Sequence, residues 1–197
     1  MTVTKTTREA YEIWKDHEYA TITLKCWDRP VGEKETYYCG EIMINSSFGS
    51  WANTWTACAS PFKKFLIRLD FGYFFSKLAG TSLEKFDGEA SVKEMFKILI
   101  ERRKSFSMSR LEAREAWQEL EFDKGTAESD ERSFGDAMMA VAQALGEHHP
   151  MHDDFADPSG WPKVTKPDCQ AVGFWEKIWP EFVAELKKEI ANEHVGR

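Results

Sequence analysis

The chain has 197 residues, of which 42% are hydrophobic, and a formal net charge of −7. This length and composition predict a single globular α+β domain over residues 1–197 and exclude a disordered chain. No run of 18 apolar residues occurs, and the start MTVTKTTREAYEIWKDHEYA carries charges where a signal peptide needs an apolar block. We therefore expect a cytoplasmic protein without a membrane partner.

Charge is spread unevenly along the chain. Residues 1–60 carry a net charge of −2, residues 61–110 of +5, and residues 111–197 of −10. A basic middle followed by an acidic C-terminal half indicates charged partners, although charge runs more often form solvated helix faces. Four cysteines at wide spacings, without a CxxC pair, favour reduced structural thiols over a disulfide framework or a zinc knuckle: Cys26, Cys39, Cys58 and Cys169.

Residues 1–60 predict a short helix followed by a three-stranded antiparallel β-meander. The helix is expected in REAYEIWKDH, where Tyr11 and Trp14 lie about one turn apart. Alternating strand patterns follow in EYATITLKCW, TYYCGEIMIN and SWANTWTACA, separated by short turns. The third strand places Trp51 and Trp55 on one face.

Residues 61–197 predict a helical part that packs on the meander. One helix should run through PFKKFLIRLDFGYFFSKLAG, and the helix after Ser109 should pack through Leu111, Trp117 and Leu120. A last helix should restart near Pro180. The expected helix starts are Ser60 with Pro61, Ser91 with Glu94, Ser109 with Glu112, Ser129 or Asp130, and Asp168.

A histidine-rich loop is the best candidate for a metal site. Imidazole and carboxylate groups at short spacing can bind zinc or manganese. The HExxH pattern is absent, so a solvated polar loop without any cofactor is the favoured interpretation. The candidate ligands are His148, His149, His152 and Asp153, with Asp154 and Asp157 nearby.

A nucleic-acid interface would combine cations of the middle segment with aromatic residues of the sheet. Arg102 and Arg103 are the central cations, and Lys63, Lys64, Arg68, Lys104 and Arg110 complete the set. The aromatic candidates are Trp27, Tyr37, Trp51 and Trp55, with Phe48 as a further exposed contact. Burial in the core is the commoner fate of such aromatic residues.

Carboxylates offer two further interpretations. Spaced acidic residues on helices can imitate a phosphate backbone, whereas ordinary helix solubility is the simpler explanation. The acidic candidates are Glu112, Glu115, Glu119, Asp130 and Glu131.

Glu41 within a strand and Asp70 within an apolar helix are expected to pair with Arg68, Arg102 or Arg103. A nucleophilic enzyme has little support, because no GxSxG motif occurs.

Three segments resemble accessory proteins encoded by bacteriophages and prophages: INSSFGSWANTWTACASPFKKFLIRLDFGYFFSKLAG, EHHPMHDDF and FWEKIWPEF. The resemblance covers most of the chain and carries over no functional residue. It implies a small cytoplasmic protein of a bacterial host, and such proteins are often inhibitors of host defence, including anti-CRISPR and anti-restriction proteins.

We therefore expect a non-enzymatic interaction protein that inhibits a host nucleoprotein or defence complex. Its acidic face would compete with nucleic acid for a basic channel. A nucleic-acid-binding protein that uses the basic middle segment is the first alternative, and a metal-dependent enzyme at the histidine-rich loop is the second.

Overall fold

A computed structural model describes residues 2–31, 35–149 and 151–195. The chain divides into two compact units, the first comprising Met1–Leu83 and Pro167–Arg197 and the second Glu84–Lys166. The strands are β1 (Glu9–Lys15), β2 (Glu18–Val31), β3 (Glu35–Ser46), β4 (Gly49–Cys58), β5 (Glu84–Phe86) and β6 (Thr165–Pro167). The helices are α1 (Phe62–Leu66), α2 (Phe71–Leu78), α3 (Gly88–Lys104), α4 (Arg110–Ala127), α5 (Glu131–Leu145), α6 (His152–Ala156), α7 (Cys169–Lys177) and α8 (Trp179–Val195).

The first unit is built on an antiparallel sheet with the strand order β1-β2-β3-β4. Side chains alternate between its faces, so Ile22 and Leu24 enter the hydrophobic core while Thr21 and Thr23 point the other way. Ile22 lies opposite Ile44 on β3. We call the side that packs on α1, α2, α7 and α8 the inner face, and the opposite side the outer face.

The predicted α+β class is confirmed, but the expected number of strands in the sheet is wrong. Four strands are present instead of three, because the predicted N-terminal helix is the strand β1. Tyr11 and Ile13 alternate onto the core, whereas Trp14 is 78% exposed. The spacing of Tyr11 and Trp14 suits a helix, yet pairing along β2 satisfies the backbone of this segment.

The core of the first unit is rich in aromatic side chains. Phe74, Phe75, Phe174 and Phe182 are fully buried beside the inner face. Gly40 on β3 admits the ring of Phe62, since a Cβ at this position would lie 2.1 Å from that ring. The sheet and its covering helices therefore approach closely at this point.

The single helix expected after Ser60 is two helices. Asp70 separates the two helices, because its carboxylate accepts a hydrogen bond from Tyr73 N at 2.8 Å and caps α2. Pro61, not Ser60, occupies the N-cap position of α1. Asp70 therefore acts as a cap, and the ion pairs expected for it and for Glu41 are wrong: Glu41 pairs with Arg8.

The second unit contains α3 to α6 and the ribbon of β5 and β6, except for Pro167 at the end of β6, which belongs to the first unit. The capping box expected at Ser91 is wrong, because the cap of α3 is Asp87, four residues earlier. The Ser91 hydroxyl is buried and accepts a hydrogen bond from Val164 N at 2.8 Å. The Ser91 side chain therefore makes a tertiary contact instead of the helix cap that the local sequence pattern predicts.

Other predicted helix boundaries are confirmed. Asp130 caps α5 by accepting hydrogen bonds from two backbone N–H groups, and Gly146 ends this helix with a positive φ. The expected restart near Pro180 is the boundary between α7 and α8. No helix in the described part of the chain is long and apolar enough to cross a membrane.

Candidate functional site

The start of α4 is fixed by a reciprocal capping box, as the sequence predicts. Ser109 Oγ accepts a hydrogen bond from Glu112 N, and Glu112 Oε2 accepts one from Ser109 N at 2.7 Å. These bonds from Ser109 hold the pKa of Glu112 below its ordinary value. Glu112 Oε1 also lies 3.6 Å from His149 Nε2, which connects the histidine-rich loop to α4.

The two sides of α4 differ in burial. Ala116, Leu120 and Ala127 are fully buried in the core of the second unit. On the opposite side, Leu111 is 65% exposed and Phe122 is 86% exposed. The expectation that Leu111 packs in the core is therefore wrong, and no sequence pattern singles out Phe122. Large apolar side chains with this exposure on a rigid helix are candidates for contact with a partner.

Carboxylates accompany these two apolar side chains. Glu115 and Glu119 are exposed, and they lie one and two turns after Leu111 on the same side of α4. Neither forms an ion pair within the described residues, so both charges face solvent. We call Leu111, Glu115, Glu119 and Phe122 the α4 strip.

The other acidic candidates have partners within the chain. Glu112 belongs to the capping box. Asp130 accepts hydrogen bonds from Arg132 N and Ser133 N at 3.0 Å, and the bonds from Ser133 are the main cause of its lowered pKa. Glu131 forms an ion pair with Lys163 at 2.8 Å. Of the five predicted acidic residues, Glu115 and Glu119 are therefore the ones that present unpaired charge.

Arg102 and Arg103 have different surroundings. Arg102 lies 3.6 Å from Asp154 and lines a cavity of about 160 Å³ with Phe155 and Trp161. Arg103 is half-buried. The phosphate contacts predicted for Arg102 and Arg103 would therefore compete with an existing ion pair and with burial.

The histidine-rich loop holds its side chains in protein contacts. His149 Nδ1 accepts a hydrogen bond from Met151 N at 3.1 Å, while its Nε2 faces Glu112. His152 Nδ1 lies 3.2 Å from Asp153, and His148 is exposed. Within residues 2–31, 35–149 and 151–195, no three histidine, cysteine or acidic side chains converge as a metal-binding group. The zinc or manganese site stays a prediction.

Trp51 and Trp55, the aromatic binding candidates of β4, lie on the inner face of the sheet. Trp55 is only 7% exposed and donates a hydrogen bond from Nε1 to Tyr73 Oη at 3.3 Å. Trp51 packs edge-to-face on Phe75 and Phe174. Both tryptophans therefore contribute mainly to packing.

A polar cluster in the first unit carries no clear signal in the sequence. Lys63 Nζ contacts Glu9 and lies 2.8 Å from Glu189 Oε2, and the Tyr11 hydroxyl is 3.0 Å from both carboxylates. Burial alone lowers the pKa of Lys63, but the bonds with Glu189, Glu9 and Tyr11 raise it above its ordinary value. Burial also raises the pKa of Tyr11. The cluster connects β1, α1 and α8, which indicates a structural role.

Comparison with known proteins places the chain among phage proteins. The family model Phage_phiTE_072, described as a phage family, matches residues 1–188. The chain belongs to this phage family. No curated protein and no solved structure matches it.

Membership of Phage_phiTE_072 confirms the resemblance to phage-encoded proteins that the sequence segments indicate. The family description assigns no activity to any residue. The function of this phage protein must therefore be argued from its surfaces, among which the α4 strip combines exposed apolar groups with unpaired charge.

Proposed function

We propose that this phage protein is a non-enzymatic interaction protein that binds a basic, nucleic-acid-binding host protein through the α4 strip. The observation that carries the proposal is the exposure of Leu111 and Phe122 on the side of α4 where Glu115 and Glu119 lack ion-pair partners in the described structure. Apolar anchors supply affinity, while carboxylates select a positively charged partner.

The geometry of α4 suits docking into a groove on a partner protein. Leu111 and Phe122 are eleven positions apart, which is about three turns and about 16 Å along a helix. An amphipathic helix of this kind docks through anchors on one side into an apolar groove of its partner. The capping box at Ser109 fixes the first turn of α4, so little ordering would be needed on binding.

Charge identifies the class of partner. Residues 84–166 contain 18 acidic and 12 basic side chains, whereas the remainder of the chain is nearly balanced with 15 and 14. The second unit therefore carries most of the negative charge. A host surface that binds nucleic acid carries positive charge. A helix with exposed carboxylates would therefore compete with nucleic acid for that surface.

This arrangement supports the inhibition of a host nucleoprotein or defence complex, of anti-CRISPR or anti-restriction type. Such a target would place the action of this phage protein in the cytoplasm of its bacterial host. No catalytic step is required, because occupation of the basic groove is sufficient to exclude nucleic acid.

Site-specific photo-crosslinking tests the proposal. A photoreactive phenylalanine analogue is placed at Phe122, and at Trp14 in a matched control, since Trp14 is also largely exposed but lies in the first unit. Both proteins are irradiated in host lysate, and the adducts are identified by mass spectrometry. We expect an adduct at position 122 with a protein that binds nucleic acid.

Two further results decide the outcome. The adduct should disappear when Glu115→Lys and Glu119→Lys are introduced together, and it should be competed away by a polyanion such as heparin. An adduct that forms equally at Trp14, or that resists both the charge reversal and the polyanion, overturns the proposal. Absence of any specific adduct at Phe122 also contradicts it.

A further inference from the structure

The outer face of the sheet in the first unit is partly exposed, and of its central side chains Cys39, opposite Trp27, is the buried one. On β2 it presents Lys25, Trp27 and Arg29, which alternate with residues of the inner face. On β3 it presents Tyr37, which lies directly opposite Arg29, and Glu41, which lies opposite Lys25. Cations and aromatic rings therefore share one end of this face.

At this end of the outer face, a cation lies beside each of the aromatic rings of Trp27 and Tyr37. Lys25 Nζ lies 5.5 Å from the ring centroid of Trp27, and Arg29 Cζ lies 5.5 Å from that of Tyr37. Tyr37 is 38% exposed, and Trp27 is half-buried. Cations adjacent to accessible aromatic rings are the combination that single-stranded nucleic acids require, because phosphates and bases alternate along the strand.

The carboxylate opposite Lys25 in the register does not neutralise the charge of this lysine. Glu41 faces Lys25 in the register, but Arg8 holds both of its oxygens, at 2.6 and 3.2 Å. Within the part of the chain that the structure describes, neither Lys25 nor Arg29 forms an ion pair. The Arg29 guanidinium donates one hydrogen bond, to Thr56 O at 3.4 Å. Both cations can thus contact phosphate.

A shallow groove with a largely apolar lining continues from the aromatic end along the outer face. It has a volume of about 460 Å³ and is lined by Thr21, Thr23, Met43, Ile44, Asn45, Ser50, Trp51 and Ala52. From Thr21 to Arg29 the strand β2 extends for about 26 Å. This length is compatible with the short end of the range of about 4–16 nucleotides per single-strand-binding domain.

We propose that the outer face of the sheet binds single-stranded nucleic acid. Lys25 and Arg29 contact phosphates, Trp27 and Tyr37 stack on bases, and the groove beside Thr21 and Asn45 accommodates the next nucleotides of the strand. In the free protein the two cations lie beside the rings, and they turn to the phosphates when a strand binds. This site is separate from the α4 strip, so either proposal can fail without the other.

Fluorescence anisotropy with labelled oligo(dT) and oligo(rU) of about 12 nucleotides tests the inference. We expect the protein to bind both at low salt, and Trp27→Leu with Tyr37→Leu to weaken binding by about tenfold or more. Lys25→Gln with Arg29→Gln should reduce the slope of log K against log salt by about 1.4, since each single-strand phosphate contact contributes about 0.7.

Lys77→Gln is the matched control, because Lys77 Nζ also lies 5.5 Å from an aromatic ring, that of Tyr73, but on α2. This variant should bind as the wild type does. Circular dichroism verifies that the charge variant is folded. The inference is overturned if neither oligonucleotide binds at low salt, or if Lys77→Gln reduces binding as much as Lys25→Gln with Arg29→Gln. A dimer that dissociates on substitution of Trp27 and Tyr37 would assign the face to a second copy and also overturn it.

Discussion

Leu111 and Phe122 lie about three turns apart on the same side of α4, and both are largely exposed although the opposite side of this helix is completely buried. Because they are exposed, these two side chains do not contribute to the hydrophobic core of the second unit. A helix that retains two large apolar groups beside the unpaired carboxylates of Glu115 and Glu119 is better explained by a partner than by stability.

Substitutions on the two sides of α4 should differ in how strongly they change stability. Leu120→Ala removes a fully buried side chain and should lower the free energy of unfolding by about 2–5 kcal/mol. Leu111→Ala with Phe122→Ala should change it by no more than about 0.5 kcal/mol per site. Urea unfolding followed by circular dichroism measures both values, and equal losses would mean that the α4 strip is part of the core.

Two glycines of the second unit should respond differently to alanine. A Cβ at Gly88 would lie 2.1 Å from Glu128 O, so Gly88→Ala should lower the free energy of unfolding by about 1–3 kcal/mol. Gly125 in α4 has no atom within 4 Å of such a Cβ, so Gly125→Ala should raise it by about 0.5–1 kcal/mol. Thermal unfolding of both variants checks this difference, which a similar response at the two positions would contradict.

The cluster around Lys63 should make stability depend on acid pH. Burial raises the pKa of Glu9, but hydrogen bonds from Lys63 and Tyr11 outweigh it, and the pKa lies below its ordinary value of 4.5. The contribution of this carboxylate is therefore complete above pH 4.5 and is lost as the pH falls through the lowered pKa.

Lys63→Met should lower stability at neutral pH and flatten this acid dependence, because Glu9 loses its partner. Lys77→Met, also in the first unit, is the control and should leave the dependence unchanged. Unfolding free energies measured by urea titration between about pH 2 and 7 test the prediction. An unaltered pH profile in Lys63→Met would show that the cluster is not the source of the dependence.

The four free cysteines should separate into two classes of reactivity. Cys39 and Cys58 are buried, and burial raises the pKa of Cys58 to about 11, so both should resist alkylation in the folded protein. Cys26 and Cys169 are exposed and should react first, although Cys26 should react more slowly than its exposure alone suggests because partial burial raises the pKa of its thiol. Mass spectrometry after iodoacetamide treatment, with and without denaturant, measures the order. Early modification of Cys58 would contradict the packing of β4.

Local contacts explain what the sequence could predict. Ser109 and Glu112 bond to each other within one turn, so their spacing was sufficient to locate the start of α4. Ser91 and Glu94 have the same spacing, yet Ser91 bonds to Val164, which is distant in the sequence. In the same way, β1 is a strand because β2 pairs with it: residues 9–15 fit a strand through the alternation of Tyr11 and Ile13 as well as a helix through the spacing of Tyr11 and Trp14, so this segment alone does not decide between them.

The candidate surfaces were less predictable than the fold. Glu115 and Glu119 were predictable as acidic helix residues, but the exposure of Leu111 and Phe122 depends on which side of α4 packs on α5. The composition also could not separate Trp27 and Tyr37 on the outer face from Trp51 and Trp55 on the inner face. That division follows from the register of four strands.

The central claim is that the α4 strip binds a basic host protein, and the affinity for the crosslinked partner tests it most directly. Isothermal titration calorimetry should compare the wild type with Leu111→Ala plus Phe122→Ala, and with Trp14→Ala as the control. We predict that the double variant binds roughly thirtyfold more weakly or worse, while Trp14→Ala binds as the wild type does. Unchanged affinity in the double variant would contradict the account.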